Sequence, residues 1–519
     1  MPATARSVER NADSPGHPTK RVVAGVHPLR WMRRRVASSN NRVLLINTNR
    51  MQPVVAPIAL DYLGTFLRNN GYDVALLDLA LAQDHLKSVE DHLEESDPLA
   101  VGVTVRNTDD CYFASQDFFL PEIKQVVDFI KKRTSAPVVL GGCGFSIMPA
   151  AVLDYCGCEL GIRGDGEVAF LQLLDALQHD SVYTGVPGLV YRVDGRWRMN
   201  PTGDLLTAQF EPQRRDVVDN VRYLAEGGMG NIETKRGCDR KCIYCADPVI
   251  KGRVARVRSP QAVVDEIEAL LDQRVDVLHT CDSEFNLPPT HATAVCEEIV
   301  SRKLGGRVRW YTYMSPKPFT AGFASLLKRA GCVGINFGVD SGSDVMLKRL
   351  ARDFTAQDIL DTAGICRDHK ITFMFDLLLG GPGENRDTVT ETVALMRQAD
   401  PDRVGAAVGI RMYPGTPLAR AVKTEGSLEQ NPNLHGEISN NSTFLKPVFY
   451  LSKELGPYTV QFVTDLIGDD ERFFMASPDA VQENYNYNEN RVLVEAIRNG
   501  YRGAYWDILR RLARDRPAL

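Results

Sequence analysis

The sequence has no apolar run long enough to cross a membrane; stretches such as Pro53–Leu60 fall far short of the ~20 residues a spanning helix needs. It has no excess of positive charge. Lys and Arg number 61 against 66 Asp and Glu, a net charge of -5, so no global field draws in a nucleic acid backbone. Cysteine is scarce for the length, 11 in 519 residues. An odd count without a secretory signal predicts reduced thiols and metal ligands in a cytoplasmic chain, not a disulfide framework. No internal repeat at a solenoid period is present. What remains is 44% hydrophobic and 24% charged residues, an ordinary globular balance. At ~150 residues per domain the length allows two to four domains.

Residues 1–41 are rich in Arg, Pro, Ser and Asn and lack apolar periodicity, which predicts a disordered leader or a start at Met32. Arg33-Arg34-Arg35 precedes Val36-Ala-Ser-Ser-Asn40, which is no hydrophobic signal segment. From Arg42 short apolar strands alternate with helical stretches: Val43–Ile46, Val74–Leu79, Leu99–Val105, Pro137–Leu140 and Glu159–Ile162. Alternation of this kind predicts a doubly wound parallel α/β sheet over residues 42–190. A hairpin and linker occupy 191–227. A second series begins near Ile232, with strands predicted at 231–234, 275–280, 308–314, 334–339, 372–379 and 404–411. Six βα units over residues 228–420 predict a partial (βα)6 barrel, with chemistry at the C-terminal strand ends. Residues 421–519 are aromatic-rich and are read as a small mixed cap related to substrate. In it, Asn484-Tyr485-Asn486-Tyr487-Asn488 pairs planar faces with amides.

The strongest signal is Lys235-Arg-Gly-Cys238-Asp-Arg-Lys-Cys242-Ile-Tyr244-Cys245. Three soft thiolates at this spacing suit an iron–sulfur cluster. A structural zinc site closes with four ligands, and nothing nearby supplies a fourth. Three cysteines on four irons leave one iron open. A zinc knuckle with a distant ligand, or three free thiols, is the other reading of the spacing.

Cys238, Cys242, Tyr244 and Cys245 at a first strand end resemble the radical S-adenosylmethionine (SAM) superfamily. Four later segments resemble that family in order. They are Cys281-Asp282-Ser-Glu284-Phe285, Gly338-Val-Asp340-Ser341-Gly342, Leu379-Gly380-Gly381-Pro-Gly-Glu384 and Arg411-Met-Tyr-Pro-Gly-Thr-Pro-Leu418. The resemblance implies a 4Fe-4S cluster on Cys238, Cys242 and Cys245 and SAM on the fourth iron, cleaved reductively to a 5′-deoxyadenosyl radical. It implies Tyr244 near the adenine, Asp282 or Glu284 at the SAM amino group, and Asp340 and Ser341 near the ribose. It brings the backbone of Gly380 and Gly381 close to the ligand. Arg411 has two readings, a partner for the SAM carboxylate or an ion pair within the fold.

The first domain resembles the cobalamin-binding domain often fused ahead of such barrels. The segments are Val103-Thr104-Val105-Arg106, Val139-Leu-Gly141-Gly142 and Gly161-Ile-Arg-Gly164-Asp-Gly166-Glu167. The resemblance implies cobalamin against Thr104, Arg106, Gly141 and Gly142. The loop Asn47–Pro53 lacks the histidine that many relatives supply to cobalt, and His85 and His92 fall on a predicted surface helix. Arg106 is then expected under the metal.

Together these resemblances imply a cobalamin-dependent methyltransferase acting on an unactivated centre of a small molecule in specialised metabolism. An external electron donor such as flavodoxin or ferredoxin is implied, with no nucleic acid. The alternative keeps the radical without methyl transfer: cyclisation, rearrangement or aminocarboxypropyl transfer, with the first domain docking substrate. A non-enzymatic iron–sulfur module is disfavoured by the ordered motifs. RNA modification is disfavoured by the absence of a second cysteine cluster and of a basic tail.

Overall fold

A computed structural model describes residues 40–203, 214–477, 488 and 490–515. The leader and the tyrosines Tyr485 and Tyr487 lie outside the described residues.

The first domain is a seven-stranded sheet. Its parallel part comprises β1 (Arg42–Asn47), β2 (Asp73–Asp78), β3 (Ala100–Thr104), β4 (Val138–Gly141) and β5 (Leu160–Ile162), in spatial order β2-β1-β3-β4-β5. The antiparallel hairpin β6 (Leu189–Val193) and β7 (Arg196–Met199) extends it beyond β5. β1 is a continuous apolar run because helices cover both faces. Val43 and Leu45 pack to one side and Leu44 and Ile46 to the other, each at most 1% exposed. The order reverses between β1 and β3, and ligands of doubly wound sheets bind at that switch point, outside the strand ends.

The second sheet is all-parallel and sequential: β8 (Gly230–Ile232), β9 (Val277–Thr280), β10 (Arg309–Met314), β11 (Cys332–Asp340), β12 (Thr372–Leu379) and β13 (Arg403–Val408). A seventh strand, β14 (Phe473–Met475), pairs with β13. The aromatic pair Phe473-Phe474 therefore belongs to the barrel sheet and not to a separate cap. Phe473 faces the helices and Phe474 the interior, a three-residue alternation too short to read as a period. Outward-facing Phe337, Phe373 and Phe375 meet edge to face at 5.3–6.5 Å, filling the layer between sheet and helices. Residues 410–411, 434–436 and 448–450 form a small antiparallel sheet beside the barrel mouth.

Three buried ionic clasps join the domains. Arg215 in the connection bonds Asp61 of the first domain and Glu266 of a barrel helix, both at 2.7 Å. Arg258 meets Glu266 at 2.7 Å, and the Tyr62 hydroxyl donates to Glu266. Arg236, beside the cysteine loop, reaches Glu167 at 2.7 Å and Asp165 at 3.2 Å. Arg411 closes on Asp109 at 2.7 Å. Buried pairs add little net stability, but they punish any arrangement that leaves one charge alone.

Candidate cluster, SAM and cobalamin site

Beyond β8 the chain turns at Gly237, whose φ of 93° and whose approach to Val254 O, 2.1 Å from where a Cβ would stand, admit only glycine. The cysteine loop is pinned on both sides. Cys238 N–H donates to Gly252 O at 3.1 Å, and Ile243 N–H to Leu350 O at 3.2 Å. Each sulfur has its own donor: the Arg240 backbone N–H for Cys238, the Asp247 backbone N–H for Cys245, and Arg352 Nη1 at 2.9 Å for Cys242. Burial raises all three thiols when no metal is bound. Among the described residues no three His, Cys, Asp or Glu converge tightly enough for a single ion. Three thiols on one loop, each with its own donor, suit the soft ligation of an iron–sulfur cluster.

Arg352 is the residue that the sequence reading missed. Besides Cys242 it donates to Gly338 O at 2.6 Å and lies 3.3 Å from Asp340 and 3.6 Å from Glu284. Tyr244 donates its hydroxyl to Asp340 at 2.6 Å, so these groups form one connected set facing the cysteines. Asp340 holds a left-handed φ of 63° at a register shift in β11, which swings its carboxylate toward Tyr244 and Arg352. Burial pushes the Glu284 carboxyl up to about 7, and the Asp340 charge adds to that while Arg352 opposes it.

Other expected residues serve the fold. Asp282 accepts from Thr234 N–H, the Thr234 hydroxyl and Lys235 N–H, and is 3% exposed. Of the two acidic candidates, Glu284 is therefore the one left near the cysteines. Ser341 is fully buried, pairs with Thr392 at 2.9 Å and accepts from Ser343 N–H. Gly380 and Gly381 donate their N–H groups to Glu384. Arg411 bonds Asp109, Met412 O and Phe444 O, the ion pair within the fold that was one of its two readings.

At the other strand ends, Arg106 lies 3.9 Å from the Met51 sulfur, bringing the loops after β1 and β3 together. His85 and His92 sit on the helix His85–Glu95, where His85 feels the charge of Arg50 in the β1 loop. Gly142 has a φ of 103°, and a Cβ there would fall 2.7 Å from Val105 O and 2.8 Å from Thr104 Oγ1. At Gly141 a Cβ would meet nothing closer than Ile162 O at 3.7 Å. Protein packing thus demands glycine at 142 and leaves 141 open. A backbone cradle over the switch point fits a large flat ligand with a tail.

The radical SAM superfamily matches residues 232–396, and the B12 binding domain matches residues 45–174. A tryptophan 2-C-methyltransferase of Streptomyces laurentii is 32% identical over 89% of this chain and 95% of its own. This chain belongs to the cobalamin-dependent radical SAM methyltransferases. Two solved structures of a family member, TsrM from Kitasatospora setae, superpose on it. One, with tryptophan and the SAM analogue aza-SAM, gives a TM-score of 0.84 at 32% identity, covering 92% of this chain and 100% of that one. The other, with cobalamin and a [4Fe-4S] cluster, gives 0.83 at 30% identity, covering 92% and 98%. No helix among the described residues is long and apolar enough to cross a membrane.

Proposed function

We propose that this methyltransferase moves a methyl group from SAM, by way of cobalamin, to a ring carbon of tryptophan or a close indole analogue in the cytoplasm. The observation that carries the reading is the 32% identity to the tryptophan methyltransferase, which extends over 89% of the chain. When bound, the cluster supplies an iron that chelates SAM, and cobalamin supplies a cobalt that carries methyl. The chain's own residues do the rest. Cys238, Cys242 and Cys245 hold the cluster. Glu284 takes the SAM ammonium, while Asp340 and Tyr244 stand beside the nucleoside. Arg352 balances the charge that these carboxylates and thiolates bring together. Thr104, Gly141 and Gly142 would carry cobalamin on backbone, with Arg106 on the lower side of the metal, and the loop Asn47–Pro53 offers no histidine. An external one-electron donor of the flavodoxin or ferredoxin kind keeps the cofactors reduced.

The test is anaerobic reconstitution with iron, sulfide and hydroxocobalamin, followed by incubation with methyl-deuterated SAM and a panel of indoles. A deuteromethylated product that depends on cobalamin is expected. Formation of 5′-deoxyadenosine without any methylated product would overturn the reading in favour of radical chemistry without methyl transfer.

A further inference from the structure

Inside the barrel every second residue of a strand points inward, so the interior is built in layers. The lowest is apolar. Val277, Tyr311 and Met374 pack there with Phe474, Ala504 and Trp506. The C-terminal helix Tyr505–Asp515 closes that floor: the Tyr311 hydroxyl donates to Asp507 at 2.8 Å and its ring meets Trp506 edge-on at 6.1 Å.

Two residues further along the same strands the layer turns polar. It holds His279 on β9, Tyr313 on β10, Asn336 on β11 and Asp376 on β12. The Asn336 amide donates to Asp376 at 2.6 Å, and His279 meets Tyr313 edge-on at 5.0 Å. Asp376 is flanked in register by Gly338 and Gly405, which leave room around it. Tyr313 keeps 44% of its surface accessible although it stands within the barrel, so this layer faces an open chamber. Tyr112 of the first domain and Tyr313 both feel the Asp376 charge, which raises their phenols further. Burial holds His279 neutral, lowering it to about 4. The next interior residue on β12, Leu378, packs against the same apolar cluster as Tyr244 of the cysteine loop. A molecule resting on the polar layer therefore lies beneath the SAM site.

We propose that Asp376, oriented by Asn336, is the specificity carboxylate of the substrate chamber and accepts a proton-bearing nitrogen of the substrate. The inference deepens the methyltransferase reading and rests on it for the identity of the substrate. A carboxylate among phenols and a neutral imidazole favours a cationic or N–H donor and repels an anion. In an amino-indole that nitrogen is either the α-ammonium or the ring N–H.

The reconstituted holoenzyme and its Asp376→Asn variant are compared for binding and turnover of tryptophan, tryptamine, 1-methyltryptophan and indole-3-propionate. Asp376→Asn is nearly isosteric, so iron content, the cobalamin spectrum and SAM affinity should match the parent. Tryptophan KM should rise about 50-fold, the loss of one buried charged hydrogen bond. If the ammonium is the group bound, the variant discriminates against tryptamine and 1-methyltryptophan and leaves indole-3-propionate unchanged. If the ring N–H is bound, 1-methyltryptophan alone is insensitive. Unchanged KM and unchanged analogue selectivity in Asp376→Asn overturn the proposal while leaving the methyltransferase reading intact. A parent enzyme that binds tryptamine in an Asp376-dependent way, yet methylates no indole, removes the tryptophan reading and keeps Asp376. A parent that binds none of the four ligands refutes both.

Discussion

The two cofactor ends of this molecule are built by different means. At the cysteine loop the structure gathers side chains: Cys242, Glu284, Asp340, Tyr244 and Arg352 form one connected set. At the strand ends of the first domain the turns at Gly141 and Gly142 present backbone instead. The charged residues nearby, Asp109, Asp165 and Glu167, turn toward the barrel as clasps. A motif of reactive side chains points straight at its ligand. A motif of glycines and turns describes a path of the chain, and the fold needs that path for its own reasons as well. Gly142 shows this, since Val105 and Thr104 forbid a side chain there whether or not a ligand is present.

The comparison breaks most sharply at the cysteines. Alanine at Cys238, Cys242 or Cys245 should remove iron from about four per chain toward zero and abolish activity. Alanine at the buried Cys156 or Cys332 should leave iron content unchanged. Elemental analysis of anaerobic protein reads this directly, and full zinc occupancy without iron uptake would defeat it.

Arg352→Gln is expected next. It strands Asp340 and Glu284 beside the thiolates, and breaking such a buried set costs about 3–5 kcal/mol. Denaturant unfolding of the metal-free chain should show that loss, and the reconstituted variant should show a lowered cluster potential. A variant as stable as the parent would mean that solvent, not Arg352, neutralises those carboxylates.

The glycine pair sharpens the contrast at the other end. Gly142→Ala should destabilise the chain by about 1–3 kcal/mol through its backbone conformation alone, so its loss of cobalamin says little. The Cβ of Gly141→Leu meets nothing closer than Ile162 O at 3.7 Å, and the variant should leave the melting temperature within a few degrees while weakening hydroxocobalamin binding. Equal binding by Gly141→Leu would move the ligand's path away from β4. With the cofactor's own base displaced, electron paramagnetic resonance of the bound Co(II) form should show no axial nitrogen splitting, because the β1 loop offers no imidazole.

The smallest effect is a pH dependence. Glu284 stands at about 7 in the folded chain against an ordinary 4.5. Its contribution to stability is full below about 4.5 and fades as pH rises through 7. A cation beside it favours the ionised form, so SAM affinity should climb from pH 6 to pH 8. Glu284→Gln should flatten that slope in equilibrium binding. A slope unchanged by the variant would assign the titration elsewhere.

How much of this was legible follows the same division. The strands are short apolar runs bounded by turns, and β1 to β5 and β8 to β13 fall within a few residues of where the pattern puts them, β8 and β13 ending early. The cysteine loop is legible because thiol spacing has few meanings. Asp282, Ser341 and Arg411 each hold partners within the fold, and a motif residue and a clasp residue look alike in sequence until the partner is known. Arg352 lies twelve positions beyond Asp340 with no local signal, and only the return of the chain brings it to Cys242. Asp376 did carry a signal. It is the lone charge in the apolar strand Thr372–Leu379, and such a charge must have something to meet.

The clasps between the domains have a consequence for inheritance. Arg215, Arg236 and Arg411 each find their acceptors across a domain boundary. A recombinant that received its first half from a distant relative would leave Arg411 without Asp109, and would strip Arg215 of Asp61 and Arg236 of Asp165 and Glu167. Such a chimera starts life poorly folded, and no single later change repairs it. The two halves therefore travel through descent as a pair, and the seam between them should record matched changes where either half alone would record drift.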